Sequence, residues 1–349
     1  MKGRGAQINT DNPFAKHRPA RHRDLNFSAP PTEIKTEYLE THPKTIINKV
    51  ESQDIGLEYS MNPYQGCEHG CVYCYARNTH PYWGYSAGLD FESRILIKRD
   101  APQLLAKKLA SPKWIPAPIM LSGNTDCYQP IEARMKLTRQ LLEVLERFQH
   151  PVGIITKSAL ILRDIDIISR MAQKQLVSVA VSINTLDDEL RRQLEPRTAT
   201  ISRRLQVIKE LSEAGIHVHA MLAPIIPGLN DHEIMDLMGA VASVGARNAG
   251  YITVRLNGDV GPIFIDWVKK KYKDRADRIL NRIMDIHGGQ LNDSRPGIRM
   301  KGEGKYAEMI AAQFQLALKR HLPDVSRFEY DLSHYEKARK PQTSLLDLI

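Results

Sequence analysis

The chain has 349 residues, a formal net charge of +9, 42% hydrophobic residues and four cysteines. That supplies apolar material for one large core, but no apolar run approaches the roughly 20 residues a bilayer span needs, so no membrane partner is expected. The polar, basic N-terminus lacks a secretory signal and disulfides fit three locally clustered cysteines poorly, so a cytoplasmic protein is expected.

Residues 1–50 read as a basic, largely irregular arm carrying Lys2, Arg4, Lys16, Arg18, Arg21 and Arg23 against Asp11. Glu58–Met61 is a short strand leading into a cysteine-rich loop. Helix Ala101–Ala110, strand Pro118–Ser122 and helix Ile131–Phe148 follow, the last with Leu137, Leu141, Leu142, Leu145 and Phe148 at helical spacing. Strand Val152–Thr156, helix Asp164–Lys174 and the β-branched strand Val177–Ile183 continue the series. Helix Ser202–Ala214 ends at Gly215, before strand Ile216–Leu222, helix His232–Val244 and strand Tyr251–Leu256. Six strand–helix units imply a parallel sheet with right-handed crossovers, an α/β fold best described as a partial (β/α)6 barrel over 51–260. Helices Pro262–Ile286 and Gly304–His321 predict a helical C-terminal cap over 261–327, and 328–349 reads as a loose tail.

The loop after the first strand holds Cys67, Cys71 and Cys74 at C-x3-C-x2-C spacing, with no fourth cysteine near. Three thiolates hold three irons of a cubane cluster and leave the fourth open to a small ligand. An open iron is what reductive cleavage of S-adenosylmethionine (SAM) requires. A structural zinc site would want a fourth ligand, for which His69 or His80 is the available partner. Chemistry in parallel β/α folds gathers at the carboxyl ends of strands, where Gly123–Asp126, Ser182–Thr185 and Ala223–Asp231 also fall.

The cysteine motif on a six-unit β/α series resembles the radical SAM superfamily. Asn62–Gly66, Thr125–Pro130, Glu195–Arg197 and Pro224–Asp231 are similar to the branch of spore photoproduct lyase and DNA repair photolyase-like proteins, over roughly residues 55–320. Lys2–Ala6 resembles the opening of an uncharacterised subgroup. The resemblance implies a [4Fe–4S] cluster on Cys67, Cys71 and Cys74, and SAM on its unique iron. An external flavodoxin- or ferredoxin-type donor would supply the electron that yields a 5′-deoxyadenosyl radical. It places Tyr73 near the adenine and Gly123, Asn124, Thr125 and Asp126 at the methionyl amino group. Ser182 and Asn184 fall near the ribose, Arg197 toward the carboxylate, and Ile226 at the adenine. Each also has an ordinary reading as core aromatic, turn, helix cap or surface pair.

Cys127 and Tyr128 are the candidate hydrogen-atom donors, although the lyase cysteine stands where this chain has Gly123. Two further basic clusters, Lys269–Arg282 and Arg295–Lys305, point to DNA or another nucleic acid as substrate, with lesion repair as one version. Modification of a protein or metabolite is the alternative, and a metal-containing nucleic-acid-binding module without catalysis is a third. Gln342–Leu346 resembles the peptides that bind bacterial sliding clamps.

Overall fold

A computed structural model describes residues 3–14, 34–325 and 327–335. Strands β1 (Glu37–Glu40), β2 (Ile47–Lys49), β3 (Tyr59–Met61) and β4 (Tyr64–Gln65) precede the cysteine loop. Helix α1 (Leu89–Ser93), β5 (Arg94–Ile97) and α2 (Ala101–Leu109) come after it. The alternation continues through β6 (Ile119–Leu121), α3 (Glu132–Met135), α4 (Leu137–Arg147), β7 (Val152–Thr156), α5 (Ile165–Ala172) and β8 (Val177–Ser182). Next stand α6 (Asp188–Leu194), α7 (Ile201–Glu213), β9 (His217–Ile225), α8 (Ile234–Ser243) and β10 (Asn248–Thr253). Helices α9 (Val260–Lys271), α10 (Ala276–Asp285) and α11 (Gly304–His321) follow.

The main sheet runs β10-β9-β8-β7-β6-β3-β2, parallel from β10 to β3, with β2 antiparallel at its edge. β10 and β3 do not pair, so the sheet is a partial barrel of six parallel strands. Alternation decides its faces: Val177, Val179 and Val181 of β8 are buried in the core, while Ser178 and Ala180 are less so. Leu141, Leu142 and Leu145 of α4 and Ile167 and Ile168 of α5 cover that layer. Each such side chain, fully buried, contributes about 1.5–3 kcal/mol. A second core, built on Phe264, Trp267, Val268 and Ile283 of α9 and α10, reaches the cysteine loop at Cys71, Val72 and Tyr73. No helix among the described residues is long and apolar enough to cross a membrane.

The structure departs from the sequence expectations at five places, the first being the helix expected over Pro262–Ile286, which is two helices, α9 and α10, interrupted at Tyr272–Arg275. The helix expected over Ile131–Phe148 breaks at Lys136 (φ 54°), because the Glu132 carboxylate turns to accept from Thr138 N (3.1 Å) and caps α4. The last barrel strand begins earlier, at Asn248, because Asn248–Gly250 pair with His219–Met221. The arm expected to be irregular contains β1 and β2, and residues 3–12 dock beside the cysteine loop. The tail expected to be loose packs Tyr335, 1% exposed, into the main core and ties Tyr330 to Ser178 (2.7 Å) at the amino end of β8.

Candidate functional site

The cysteine loop is stitched through several backbone groups to elements around it. Cys67 N donates to Phe91 O (2.8 Å), Glu68 N to Gln129 Oε1 (3.0 Å) and Val72 N to Leu194 O (3.0 Å). The fully buried Arg77 guanidinium donates to Cys71 O (2.9 Å), Gly70 O (3.2 Å) and the Glu92 carboxylate (2.5 Å). The same carboxylate accepts from Gly5 N (3.0 Å) and Ala6 N (2.7 Å), so the N-terminal segment lies directly on the loop. A Cβ on Gly5 would stand 1.7 Å from Gly70 O, an approach only glycine permits.

The loop after β6 is fixed in the same manner. Asn62 Oδ1 accepts from Asn124 N (2.9 Å) and Thr125 N (3.1 Å), and the Thr125 hydroxyl donates to Tyr64 O (3.0 Å). Tyr75 donates its hydroxyl to Gly123 O. The Asp126 carboxylate takes Thr156 Oγ1 (2.8 Å), Lys157 N (2.8 Å) and Tyr128 N (2.9 Å), and stands 3.3 Å from His69 Nδ1. Burial would raise Asp126, but His69 and these N–H donors hold it down at about 2. Burial would lower His69, yet Asp126 and the Cys67 thiol outweigh it and lift it to about 10. This pair pins the cysteine loop to β6 and β7.

A second chain of contacts runs from the loop to β8. Tyr73 donates its hydroxyl to Glu195, which ion-pairs with the buried Arg204. Arg204 in turn donates to Ser182 O (3.0 Å). Burial opposes the Glu195 charge, but Arg204 and Lys157 keep its carboxyl below the usual range. Asn230 ties the opposite rim: its Nδ2 donates to Asn184 O (2.6 Å) and Pro224 O (3.0 Å), and its Oδ1 accepts from Ile226 N (2.6 Å).

Within this hydrogen-bonded frame two groups bear on a ligand. Asn184 is fully buried, and neither Nδ2 nor Oδ1 has a hydrogen-bond partner among the described residues. A buried amide left unpaired costs about 1–3 kcal/mol, which a polar ligand would restore. Lys157 stands one residue past the end of β7; burial would lower its ammonium, but the Cys71 and Cys74 thiols and the Glu195 carboxylate outweigh it and raise it above the usual value. The sequence reading missed Lys157. Its place one residue beyond a barrel strand was the signal that could have found it.

The other expected residues are placed as follows. Cys67 and Cys71 are buried and Cys74 half-buried, all as free thiols. Among the described residues no three His, Cys, Asp or Glu side chains converge on one ion position. The donor set fits a cubane cluster: three thiols on one pinned loop, with the fourth cysteine elsewhere. Cys127 is fully buried in the main core, its N–H on Ser122 Oγ (2.8 Å) and its carbonyl on Thr138 Oγ1 (2.6 Å). Tyr128 is likewise buried and its hydroxyl is spent on Asp164 (3.2 Å). Nothing in either placement favours hydrogen-atom donation. Arg197 donates to Gly3 O (3.0 Å), so it serves the N-terminal segment. The Gln342–Leu346 peptide and five of the arm's basic residues, Lys2, Lys16, Arg18, Arg21 and Arg23, lie outside the described residues.

Comparison with known proteins agrees with this geometry. An uncharacterised protein of Mycobacterium tuberculosis is 34% identical over 238 residues, 67% of this chain and 70% of that one. A Radical SAM Nalpha-GlyT isomerase of Pseudomonas phage M6 is 25% identical over 216 residues, 60% of this chain and 42% of that one. Spore photoproduct lyase, solved with a dinucleoside spore photoproduct, superposes with a TM-score of 0.57 at 16% identity, over 82% of this chain and 80% of that one. That likeness is one of fold. The family model of the Radical SAM superfamily matches residues 61–241, spanning the cysteine loop and the strand-end loops just described. The chain therefore belongs to the radical SAM superfamily and is a radical SAM enzyme.

Proposed function

We propose that Cys67, Cys71 and Cys74 hold a [4Fe–4S] cluster whose open iron binds SAM, and that the chain acts on a nucleic acid. When bound, that pair supplies a 5′-deoxyadenosyl radical and methionine, using one electron from an external flavodoxin- or ferredoxin-type donor. The observation that carries the reading is the contrast around the triad: most of the surrounding loops are pinned by hydrogen bonds, while the buried Asn184 amide keeps both of its polar atoms unpartnered among the described residues. Lys157 offers an ammonium for the methionyl carboxylate, replacing Arg197 in that role. Asn184 offers both halves of an amide to a ribose. Gly123–Asp126 stays the candidate rim for the amino group, with Asp126 also holding His69 in place. The Ile226 backbone, fixed by Asn230, forms the wall for the base. The pinned loops contribute preorganisation and exclusion of water.

Nucleic acid is favoured over a protein or metabolite by the net charge of +9 and by the fold shared with spore photoproduct lyase. Lesion repair is one version. The isomerase among the relatives shows that membership of the superfamily does not fix the reaction.

Anaerobic reconstitution with iron and sulfide, followed by metal counting and a dithionite assay for 5′-deoxyadenosine, tests the reading. About four irons per chain and SAM-dependent 5′-deoxyadenosine are expected, with both lost in Cys71→Ala. Retention of a single zinc and no SAM cleavage would overturn it.

A further inference from the structure

Three basic concentrations stand out in the sequence, and the structure separates them. Arg4 is buried, donating to Ile34 O (2.8 Å) and Thr36 Oγ1 (3.0 Å), so it is structural. Arg295 ion-pairs with Asp293 and Glu303, and Arg299 with Asp54, so the third cluster is largely neutralised. The second is different. Arg275, Arg278 and Arg282 fall at i, i+3 and i+7 on one face at the start and along the length of α10. None of the three has an ion pair among the described residues, and together they line a cavity of about 250 Å³ with Gly228, Asp231 and His232.

The cavity is held open by its own contacts. Arg275 donates to Gly228 O (2.8 Å) and lies over the Tyr272 ring (5.9 Å). Arg282 lies over the Tyr306 ring (5.2 Å). The one carboxylate in the wall, Asp231, is spent on Gly228 N (2.9 Å) and on the Tyr306 hydroxyl. What faces the cavity is therefore net positive and preorganised, with guanidinium donors matched to phosphate oxygens. Gly228 sits on the loop that carries Ile226, so an anion held here lies beside the rim of the barrel mouth.

We propose that this cavity is a phosphodiester-binding site that holds the backbone of a nucleic-acid substrate beside the barrel mouth. It rests on the nucleic-acid reading above and assigns the contact that reading needs. Phosphate contacts position a strand without reading its sequence, so binding here is indifferent to base identity.

The test uses the full-length reconstituted protein and fluorescein-labelled DNA 30-mers, single- and double-stranded, with anisotropy measured across a salt series and inorganic phosphate as competitor. Arg275→Gln/Arg278→Gln is compared with Lys269→Gln/Lys273→Gln, which removes the same charge outside the cavity. The arginine pair is expected to weaken single-strand binding about 10-fold, lower the salt slope by about 1.4 and abolish phosphate competition. The lysine pair changes affinity less than about 3-fold, as expected for general screening alone. Equal effects of the two pairs would overturn the cavity assignment and leave the nucleic-acid reading standing. No DNA binding by the wild type at low salt would overturn both. Matching melting temperatures for the two variants exclude a folding defect as the cause.

Discussion

The two ends of the chain read alike in the sequence, as polar segments without periodicity, yet the structure uses them in opposite ways. Residues 3–12 lie on the cysteine loop through hydrogen bonds and charge: Gly5 N and Ala6 N on Glu92, Thr10 N on Ser86 Oγ (2.8 Å), Asn12 Nδ2 on Pro81 O (3.0 Å). Residues 328–335 close the amino end of the barrel with rings: Phe328 against His217 (5.0 Å), Tyr330 against Phe328 (4.9 Å), Tyr335 against His150 (5.2 Å). The polar clamp grips the reactive end and the aromatic plug fills the opposite one. Hydrogen bonds fix a backbone in one geometry, which a cluster loop requires, whereas rings add apolar area and tolerate small shifts. Variants at the clamp should therefore disturb cluster loading, and variants at the plug should disturb stability alone.

The largest effect is expected at Glu92. Its removal leaves the fully buried Arg77 without its counter-charge and orphans Gly5 N and Ala6 N. Breaking such a pair costs about 3–5 kcal/mol. Glu92→Ala should lower the denaturant midpoint strongly and lose iron on reconstitution. Normal iron content at a lowered midpoint would show that the clamp does not govern the loop. Gly5→Ala is the finer probe, because its methyl would meet Gly70 O and the segment must lift from Glu92. Losing the two hydrogen bonds to that carboxylate costs about 3 kcal/mol at the low end for a charged acceptor. Iron content should fall while the far-ultraviolet spectrum stays native.

The sequence made the barrel legible because its strands are short, β-branched and spaced by helices of ordinary length. Val152–Thr156 and Gly304–His321 match the expected bounds without adjustment. The triad was legible because three cysteines at that spacing have few other uses. The clamp was not, since its key residue, Glu92, sits on a five-residue helix with no periodic signal and acts through backbone groups 86 and 87 positions away. Lys157 was missed as a site residue for the same reason: its role comes from what the fold brings near. The bond from Arg197 to Gly3 was not legible either, because the two residues lie 194 positions apart.

At the plug, His150 gives a pH signature. It is fully buried, accepts from Trp114 Nε1 at Nε2 (3.1 Å) and has Nδ1 on Pro151 O (3.0 Å), an arrangement that uses the neutral ring. Burial pushes it down to about 4. The unfolded ring binds a proton near pH 6.5, so stability is full above that value and falls as pH drops through 6.5 toward 4. Between pH 7 and pH 5 the loss from this residue is about 2 kcal/mol. His150→Phe should flatten that part of the stability curve, measured by urea unfolding at each pH, and leave iron content unchanged. An unchanged slope would place the acid sensitivity at other histidines, such as the buried His80 or the half-buried His219, both also near 4.

The smallest expected effect isolates one hydrogen bond of the plug. Tyr335 donates its hydroxyl to Leu109 O (2.5 Å), the last carbonyl of α2, which has no partner within its own helix turn. Tyr335→Phe keeps the ring against His150 and removes only the oxygen, so the loss is that of one buried carbonyl bond, about 1 kcal/mol. The denaturant midpoint should shift down with its slope unchanged, and iron loading and 5′-deoxyadenosine formation should equal the wild type. A drop in iron content here would mean that the amino end of the barrel is coupled to the cluster loop across the sheet. The division between polar clamp and aromatic plug would then fail at its mildest test.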